Sequence, residues 1–293
     1  MGIILSEIAK KLDLKYPVKI INEKTFDNFA RISTQIDGAK CIFIANEKYI
    51  NTIDSSVSMV ITNTEIAAQL NSSDVGVCIS ENPRGLFFEL MSEYERELRG
   101  NEKPTIMGDN CQISPRSVIA DHGVEIGSNV RIGDFVVIHP NTRIGNNVTI
   151  QTGAKIAEQD FNVYQFNGLT KQIFHSGNVV IGSNVLISSG VLIGQALYSY
   201  GVTSVGDNCF IGAMTCIGHN TEIHNDCEIC GNTMIGGYCK IGEKSKIYMS
   251  VTIANNTEIG KQTVINVGSN VIRNVEDEKT VFGNPAREIL SPK

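Results

Sequence analysis

The sequence predicts a mainly β protein: a parallel β-helix of hexapeptide repeats behind a small N-terminal α/β domain. Three observations carry this. First, isoleucine recurs every sixth residue, at Ile126, Ile132, Ile138, Ile144, Ile150 and Ile156, and again ten times in succession from Ile211 to Ile265. Second, the residue after the Ile is often Gly (Gly127, Gly133, Gly212, Gly218, Gly242), and the fourth after it is small (Thr142, Ala154, Cys209, Thr221, Ser245). Third, the stretch before residue 104 has no hexads. A short fixed period marks a solenoid and is identified before any helix or strand is assigned.

In chain order, residues 1–103 read as the α/β domain. A helix is expected at 3–13, short strands at CIFIA (41–45), SMVIT (58–62) and VGVCI (75–79), and a helix at about 84–98 after Asn82-Pro83. Residues 104–272 read as the β-helix, interrupted by a loop at 157–178, and residues 273–293 as a tail. Each hexad supplies one short strand and one corner, and three hexads close a coil of 18 residues, giving some eight coils. The Ile points inward on every face, each contributing roughly 1.5–3 kcal/mol on burial. Asn, Asp and Ser fill the corners, where tight turns suit them. The segment QALYSYGVT (195–203) keeps the hexad count but not its residues, and is expected to be a coil with an unusual surface.

Composition narrows the function. The chain has 293 residues and a formal net charge of -6. That balance argues against a nucleic-acid binder, which needs a basic face. No apolar run approaches the ~18 residues of a membrane span. Glu7, Lys10 and Lys11 interrupt the apolar start, so it does not read as a signal peptide. The 8 cysteines are then expected to stay reduced, in a cytoplasmic protein.

The segment CIGHNTEIHNDCEIC (216–230) offers two histidines and a Cys-x-x-Cys pair. The repeat explains the cysteines: Cys209, Cys227 and Cys239 hold the small inward slot, where free Cys serves as a small apolar filler. A zinc ribbon would need a second pair at matching spacing. No metal site is expected.

At this point several segments resemble one family, the UDP-3-O-(3-hydroxyacyl)glucosamine N-acyltransferases of lipid A synthesis. CIFIANEKY (41–49) resembles the family's uracil-binding segment, VGVCISENPRGLFFELM (75–91) its strand, Asn-Pro and helix, AEQDFNVYQFNGLTKQI (157–173) its aromatic loop, and IGHNTEI (217–223) its catalytic segment. The Ile-Gly-x-x-small-x hexad likewise resembles left-handed β-helices. The resemblance implies a substrate site of Phe43, Asn46, Tyr49, Phe161, Tyr164 and Asn256. It implies His219 as general base, and Gly237, one coil on, as oxyanion donor through its backbone N–H. It also implies a UDP-linked amino sugar as acceptor, an acyl carrier protein or coenzyme A thioester as co-substrate, no bound cofactor, and a homotrimer. The chain departs from the family in three places. QALYSYGVT stands where the family has Asp-Arg-Gly, Asn256 stands for a second histidine, and VFGNPAR resembles the ending of coenzyme-A-dependent sugar acetyltransferases.

Acyl transfer to an amine needs a base for its proton and donors for the tetrahedral oxyanion. His is the residue whose ordinary pKa suits the first task. A different class stays open: β-helix carbonic anhydrases also place two histidines five apart, as His219 and His224 are, but the third ligand would fall at Ser183.

Overall fold

The computed structural model describes residues 2–12, 18–70, 74–98 and 103–289. The chain divides into two compact units, Met1–Arg99 with Phe161–Phe174, and Gly100–Asp160 with His175–Lys293. The expected helix end at residue 13 and the stop at Gly100 lie outside the described residues.

The first unit contains the helices α1 (Leu5–Ala9), α2 (Thr64–Ala67) and α3 (Pro83–Leu98). Its strands are β1 (Lys19–Asn22), β2 (Asn28–Phe29), β3 (Lys40–Ile44), β4 (Val57–Thr62) and β5 (Gly76–Ile79). The sheet order is β1-β5-β4-β3-β2, parallel throughout except for β1 against β5. The runs CIFI and SMVIT are almost unbroken in apolarity because β3 and β4 are buried on both faces. Asn82 sets the start of α3: its Oδ1 accepts from the Gly85 N–H at 2.9 Å, with Pro83 opening the helix. Leu86, Phe87, Leu90 and Met91 form the buried face of α3. Phe87 sits among Phe29, Phe43 and Phe88, at centroid distances of 5.4, 5.2 and 5.2 Å.

The expected loop at 157–178 differs most from its sequence reading. Its centre is an antiparallel hairpin, Val163–Phe166 with Leu169–Gln172, grouped with the first unit rather than with the β-helix. Asn167 (φ 52°) and Gly168 (φ 77°) make its two-residue turn, the backbone for which Asn-Gly is suited. The hairpin is fastened to α3 and its N-cap: Asn82 Nδ2 donates to Gln165 O at 2.7 Å, and Arg84 Nη2 to Val163 O at 3.0 Å. Tyr164 Oη and Lys171 Nζ both donate to the Glu89 carboxylate, at 2.6 and 2.7 Å.

The second unit is a left-handed parallel β-helix with three sheet faces. Register is kept residue for residue, as in Ile211 against Ile229 against Ile247. Every hexad Ile from Ile126 onward is buried. A Cβ on Gly218 would lie 2.6 Å from Gly237 N, so Gly218 tolerates little beyond hydrogen with the next coil stacked this closely. At one corner Asn129, Asn147, Asn184 and Asn208 all hold φ near +60°, a region Asn enters more readily than most residues. Each passes an amide hydrogen bond to the next, ending on Asp226, at 3.0–3.2 Å.

Two coils are enlarged. The hairpin belongs to a coil of 37 residues, and the next coil has 24. The extra hexad of that second coil is looped out at residues 195–201 between strands Leu192–Gly194 and Val202–Val205, rather than forming a regular turn of the solenoid. The tail also differs from its sequence reading. Thr280–Gly283 adds to the β-helix parallel to Val264–Ile265, then turns back into Ala286–Glu288.

Val130, Val136, Val148, Val185 and Val191 fill the small inward slot in the earlier coils, whereas from Cys209 onward it is mostly a donor slot. Thr221 Oγ1 donates to Gly236 O at 2.7 Å, and Ser245 Oγ to Gly260 O at 2.8 Å. Cys209, Cys227 and Cys239 place Sγ 3.1, 3.2 and 3.1 Å from the carbonyls of His224, Gly242 and Ala254. In each case the acceptor is the carbonyl of the residue after the Ile in the next coil. The cysteines therefore cap a buried carbonyl as the hydroxyls do, and are not merely apolar fillers. Thr221 also accepts from the Cys239 N–H at 3.2 Å. The isosteric Thr221→Val is expected to destabilise the protein by about 1–3 kcal/mol, the cost of orphaning buried polar groups. Denaturant unfolding checks this, as a lowered midpoint at unchanged slope.

Candidate active site

Successive coils stack residues 219, 237 and 255 in one column at the corner between two faces, and residues 220, 238 and 256 in the next. Asn220, Tyr238 and Asn256 all take φ of 58° there, which turns the chain from one face to the next. Both insertions leave the β-helix at this same corner, the hairpin two coils before His219 and residues 195–201 one coil before it. The corner that carries His219 is therefore where the regular repeat is most altered.

His219 is buried, at 8% exposure, and its surroundings fix both backbone and ring. Its N–H donates to Asp160 Oδ2 at 2.9 Å. Its Nδ1 lies 3.1 Å from Asn220 Oδ1. That same oxygen accepts from the Leu197 N–H at 2.9 Å, so the Asn220 amide is oriented with its oxygen toward the ring. A carbonyl oxygen only accepts, so neutral His219 carries its proton on Nδ1. The lone pair is then on Nε2, the ring atom facing Gly237: a Cβ built there would sit 2.6 Å from Nε2. Gly237 makes the space that the imidazole occupies.

His175 and Tyr238 complete the ring's surroundings, each edge-to-face with His219 at centroid distances of 5.2 and 5.0 Å. His175 is fully buried and held by a closed polar frame. Its Nδ1–H donates to Gln195 O at 2.8 Å, its N–H to Gln159 Oε1 at 2.9 Å, and Gln159 Nε2 to Gln195 Oε1 at 2.8 Å. Burial pushes the His175 pKa down from 6.5 to about 4, while the hydrogen bond to Gln195 opposes the shift and His219 adds to it. His175 is thus neutral at pH 7.

The sign of the pH effect follows. The unfolded chain takes up a proton on His175 as pH falls through 6.5, and the folded protein does not until about pH 4. The stability that neutral His175 confers is complete above pH 6.5 and is lost between there and pH 4, a loss of on the order of 3 kcal/mol. Unfolding midpoints measured across that window are expected to fall less steeply in His175→Gln than in the parent.

The structure places the sequence-predicted residues in two sets. Phe43, Asn46, Tyr49, Phe161 and Tyr164 belong to the first unit, and His219, Gly237 and Asn256 to the second. Phe43 is half-buried against Phe87 and Phe88. Asn46 caps the short 3-10 helix Glu47–Thr52, its Oδ1 accepting from the Lys48 N–H at 3.1 Å. Tyr49 is exposed, with Lys48 Nζ 4.9 Å from its ring centroid, and Phe161 is exposed at 86%.

Three site expectations change. Tyr164 does not line an open wall: it is 2% exposed and its hydroxyl is committed to Glu89, because it anchors the hairpin. Gly237 N–H is not an unengaged donor: it donates to Asn255 Oδ1 at 2.9 Å. Asn256 lies in the Asn220–Tyr238 column, where its N–H closes the corner on Gly237 O at 2.9 Å, and its neighbour Asn255 occupies the His219 column.

Asp160, His175, Gln195, Tyr238 and Asn255 went unassigned in the sequence reading. The only signal for them was counting in coils of 18 from His219 and Asn220, which finds Asn255 and Tyr238 but fails across two enlarged coils for Asp160, His175 and Gln195. His224 is exposed at a different corner. Among the described residues, no three His, Cys, Asp or Glu side chains come together as a metal-binding group. No described helix is long and apolar enough to cross a membrane.

Comparison with known proteins agrees with the architecture. The family model described as bacterial transferase hexapeptide (six repeats) matches residues 123–158 and 203–237. A search of curated proteins gave no match. Among solved structures, LpxA from Acinetobacter baumannii is 21% identical, with 62% of this chain and 73% of that one covered and a TM-score of 0.47. A UDP-N-acetylglucosamine acyltransferase from Arabidopsis is 18% identical, covering 63% and 69% with a TM-score of 0.48. The corresponding LpxA from Bacteroides fragilis 9343 is 23% identical, covering 64% and 70% at 0.43. The family-model match thus marks hexapeptide repeats within the β-helix over those two stretches.

Proposed function

We propose that the protein is a sugar-nucleotide acyltransferase. It would move an acyl group from a thioester to the amino group of a UDP-linked amino sugar, with His219 as general base. One observation carries this reading: the acceptor-only Asn220 Oδ1 holds the proton of neutral His219 on Nδ1 and leaves the lone pair on Nε2, over the bare backbone of Gly237. A surface histidine without a role would need neither the fixed tautomer nor the glycine.

In the proposed reaction the amine nitrogen attacks the thioester carbonyl carbon and its proton passes to Nε2. The C–N bond forms while the carbonyl π electrons move to oxygen. Collapse breaks the C–S bond, and the departing thiolate takes the proton back from the imidazolium. The step needs no acyl-enzyme and no redox partner.

The nucleotide is assigned to the first unit through Phe43 and Tyr49. The half-buried ring of Phe43 and the exposed ring of Tyr49 are surfaces on which a base can stack. Homotrimer assembly fits the chemistry of the three faces. One face presents Val118 and Val137, then Lys155, then Leu192, Cys216 and Met234 in register, whereas another presents Glu125 and Arg143, then Val180 and Ser204, then Glu222, Lys240 and Glu258. Val118 and Met234 are 63% and 51% exposed, so the first face is mostly apolar, interrupted by Lys155, and is the one a second copy would cover.

The test is mass spectrometry of UDP-linked amino sugars incubated with the protein and a series of thioesters, with His219→Ala alongside. Mass gain from acetyl-coenzyme A identifies a nucleotide-sugar N-acetyltransferase. Gain only from a 3-hydroxyacyl carrier protein identifies a lipid A-type enzyme. Absence of gain from every donor would sink the assignment.

A further inference from the structure

Gly237 N–H cannot stabilise an oxyanion while it donates to Asn255 Oδ1, so the groove at His219 needs another donor. The same hydrogen bond supplies one. A backbone N–H only donates, which fixes the Asn255 amide with Oδ1 toward Gly237 and both protons on Nδ2 available for a ligand. Asn255 is exposed, so those protons are accessible. It stands two coils from His219 in the same column, and its Oδ1 would be 2.2 Å from a Cβ on Gly236, so its side chain lies back across the Gly236–Gly237 backbone. The His219 Nε2 reaches the same glycine from the coil below, 2.6 Å from a Cβ built on Gly237. A base and a two-proton donor thus converge on one bare stretch of chain.

We infer that Asn255 is a further catalytic residue, its Nδ2 donating to the oxygen of the thioester carbonyl as that oxygen becomes an oxyanion. The inference rests on the acyl-transfer reading above. Side-chain amides serve in this way elsewhere, and loss of one such donor lowers kcat by about 10²–10³. Gly237 then has a different part from the usual backbone donor: it orients the Asn255 amide and makes room for the His219 ring. The donor is preorganised, since its orientation is set before substrate arrives.

Two substitutions separate this from a purely structural corner cap. Asn255→Asp keeps an acceptor for Gly237 N–H, so the corner remains closed, but it replaces the donor by a carboxylate that repels the oxyanion. Asn255→Ala removes the amide and frees Gly237 N–H. With the best donor from the assay above, kcat is expected to fall at least 100-fold in both variants, with KM changed less than about threefold and the unfolding midpoint of Asn255→Asp near that of the parent. If Asn255→Ala instead keeps or raises kcat, the freed Gly237 N–H is the oxyanion donor and the inference is wrong. Parent-like kcat in Asn255→Asp overturns it equally. Absence of transfer by the parent protein would be a failure of the acyltransferase reading itself, recognised before either variant is made.

Discussion

Replacing His219 by alanine is expected to lower acyl transfer by about 10²–10⁴-fold, the range for a lost general base. The fall should be in kcat, because the base acts on a proton that leaves only in the transition state. The fold should survive. The contacts that hold the corner are made by backbone and neighbours: the residue 219 N–H to Asp160, Tyr238 N–H to the residue 219 carbonyl, and Leu197 N–H to Asn220. None of these needs the imidazole. His219→Gln is the more demanding variant, since it retains a polar side chain in a buried place but offers no base, and it should be as inactive as alanine. Substrate binding by His219→Ala, followed by calorimetry with the UDP-sugar, is expected to stay within a few-fold of the parent. Activity within tenfold of the parent in either variant would remove His219 from the chemistry.

How much of this was legible in the sequence depends on the physical origin of each part. The hexads are legible because each coil buries the same Ile against the next, so one constraint is written many times along the chain. The donor slot was half legible: Thr, Ser and Cys were seen to be small, but only the carbonyl fifteen residues on explains why a hydroxyl or thiol is used. The hairpin was missed although Asn167-Gly168 spells its turn, because a break in the repeat was read as loss of structure. Its fastening depends on Glu89, Asn82 and Arg84, some eighty residues upstream, and no local pattern announces such pairs. The site was legible where coil arithmetic holds, from His219 to Gly237 and Asn255. It failed at Asp160, His175 and Gln195, where coils of 37 and 24 residues break the count. The role given to Gly237 failed for another reason. Spacing places a backbone N–H, but not the side chain that has already claimed it.

Gly237→Ala is the second large effect. The residue does not require a left-handed backbone, so alanine can adopt its conformation, and the only obstacle is the methyl group itself. That methyl would meet His219 at 2.6 Å from Nε2, 2.9 Å from Cδ2 and 3.0 Å from Cε1, across the whole edge of the ring. The imidazole must turn away and give up its Nδ1–H bond to Asn220. Displacement by about 1 Å is enough to cost about 100-fold in rate. The expected result is a folded protein with activity down roughly 100-fold and His219 no longer confined to one tautomer, read from imidazole nitrogen chemical shifts. A double variant decides how the glycine acts. With His219→Ala already in place the ring is gone and the methyl has room, so adding Gly237→Ala should cost nothing further. Two residues that act as one unit show this non-additivity. A full additional loss in the double variant would mean that the methyl obstructs the groove itself, so that Gly237 serves catalysis by keeping its backbone bare for substrate, independently of the histidine it shelters.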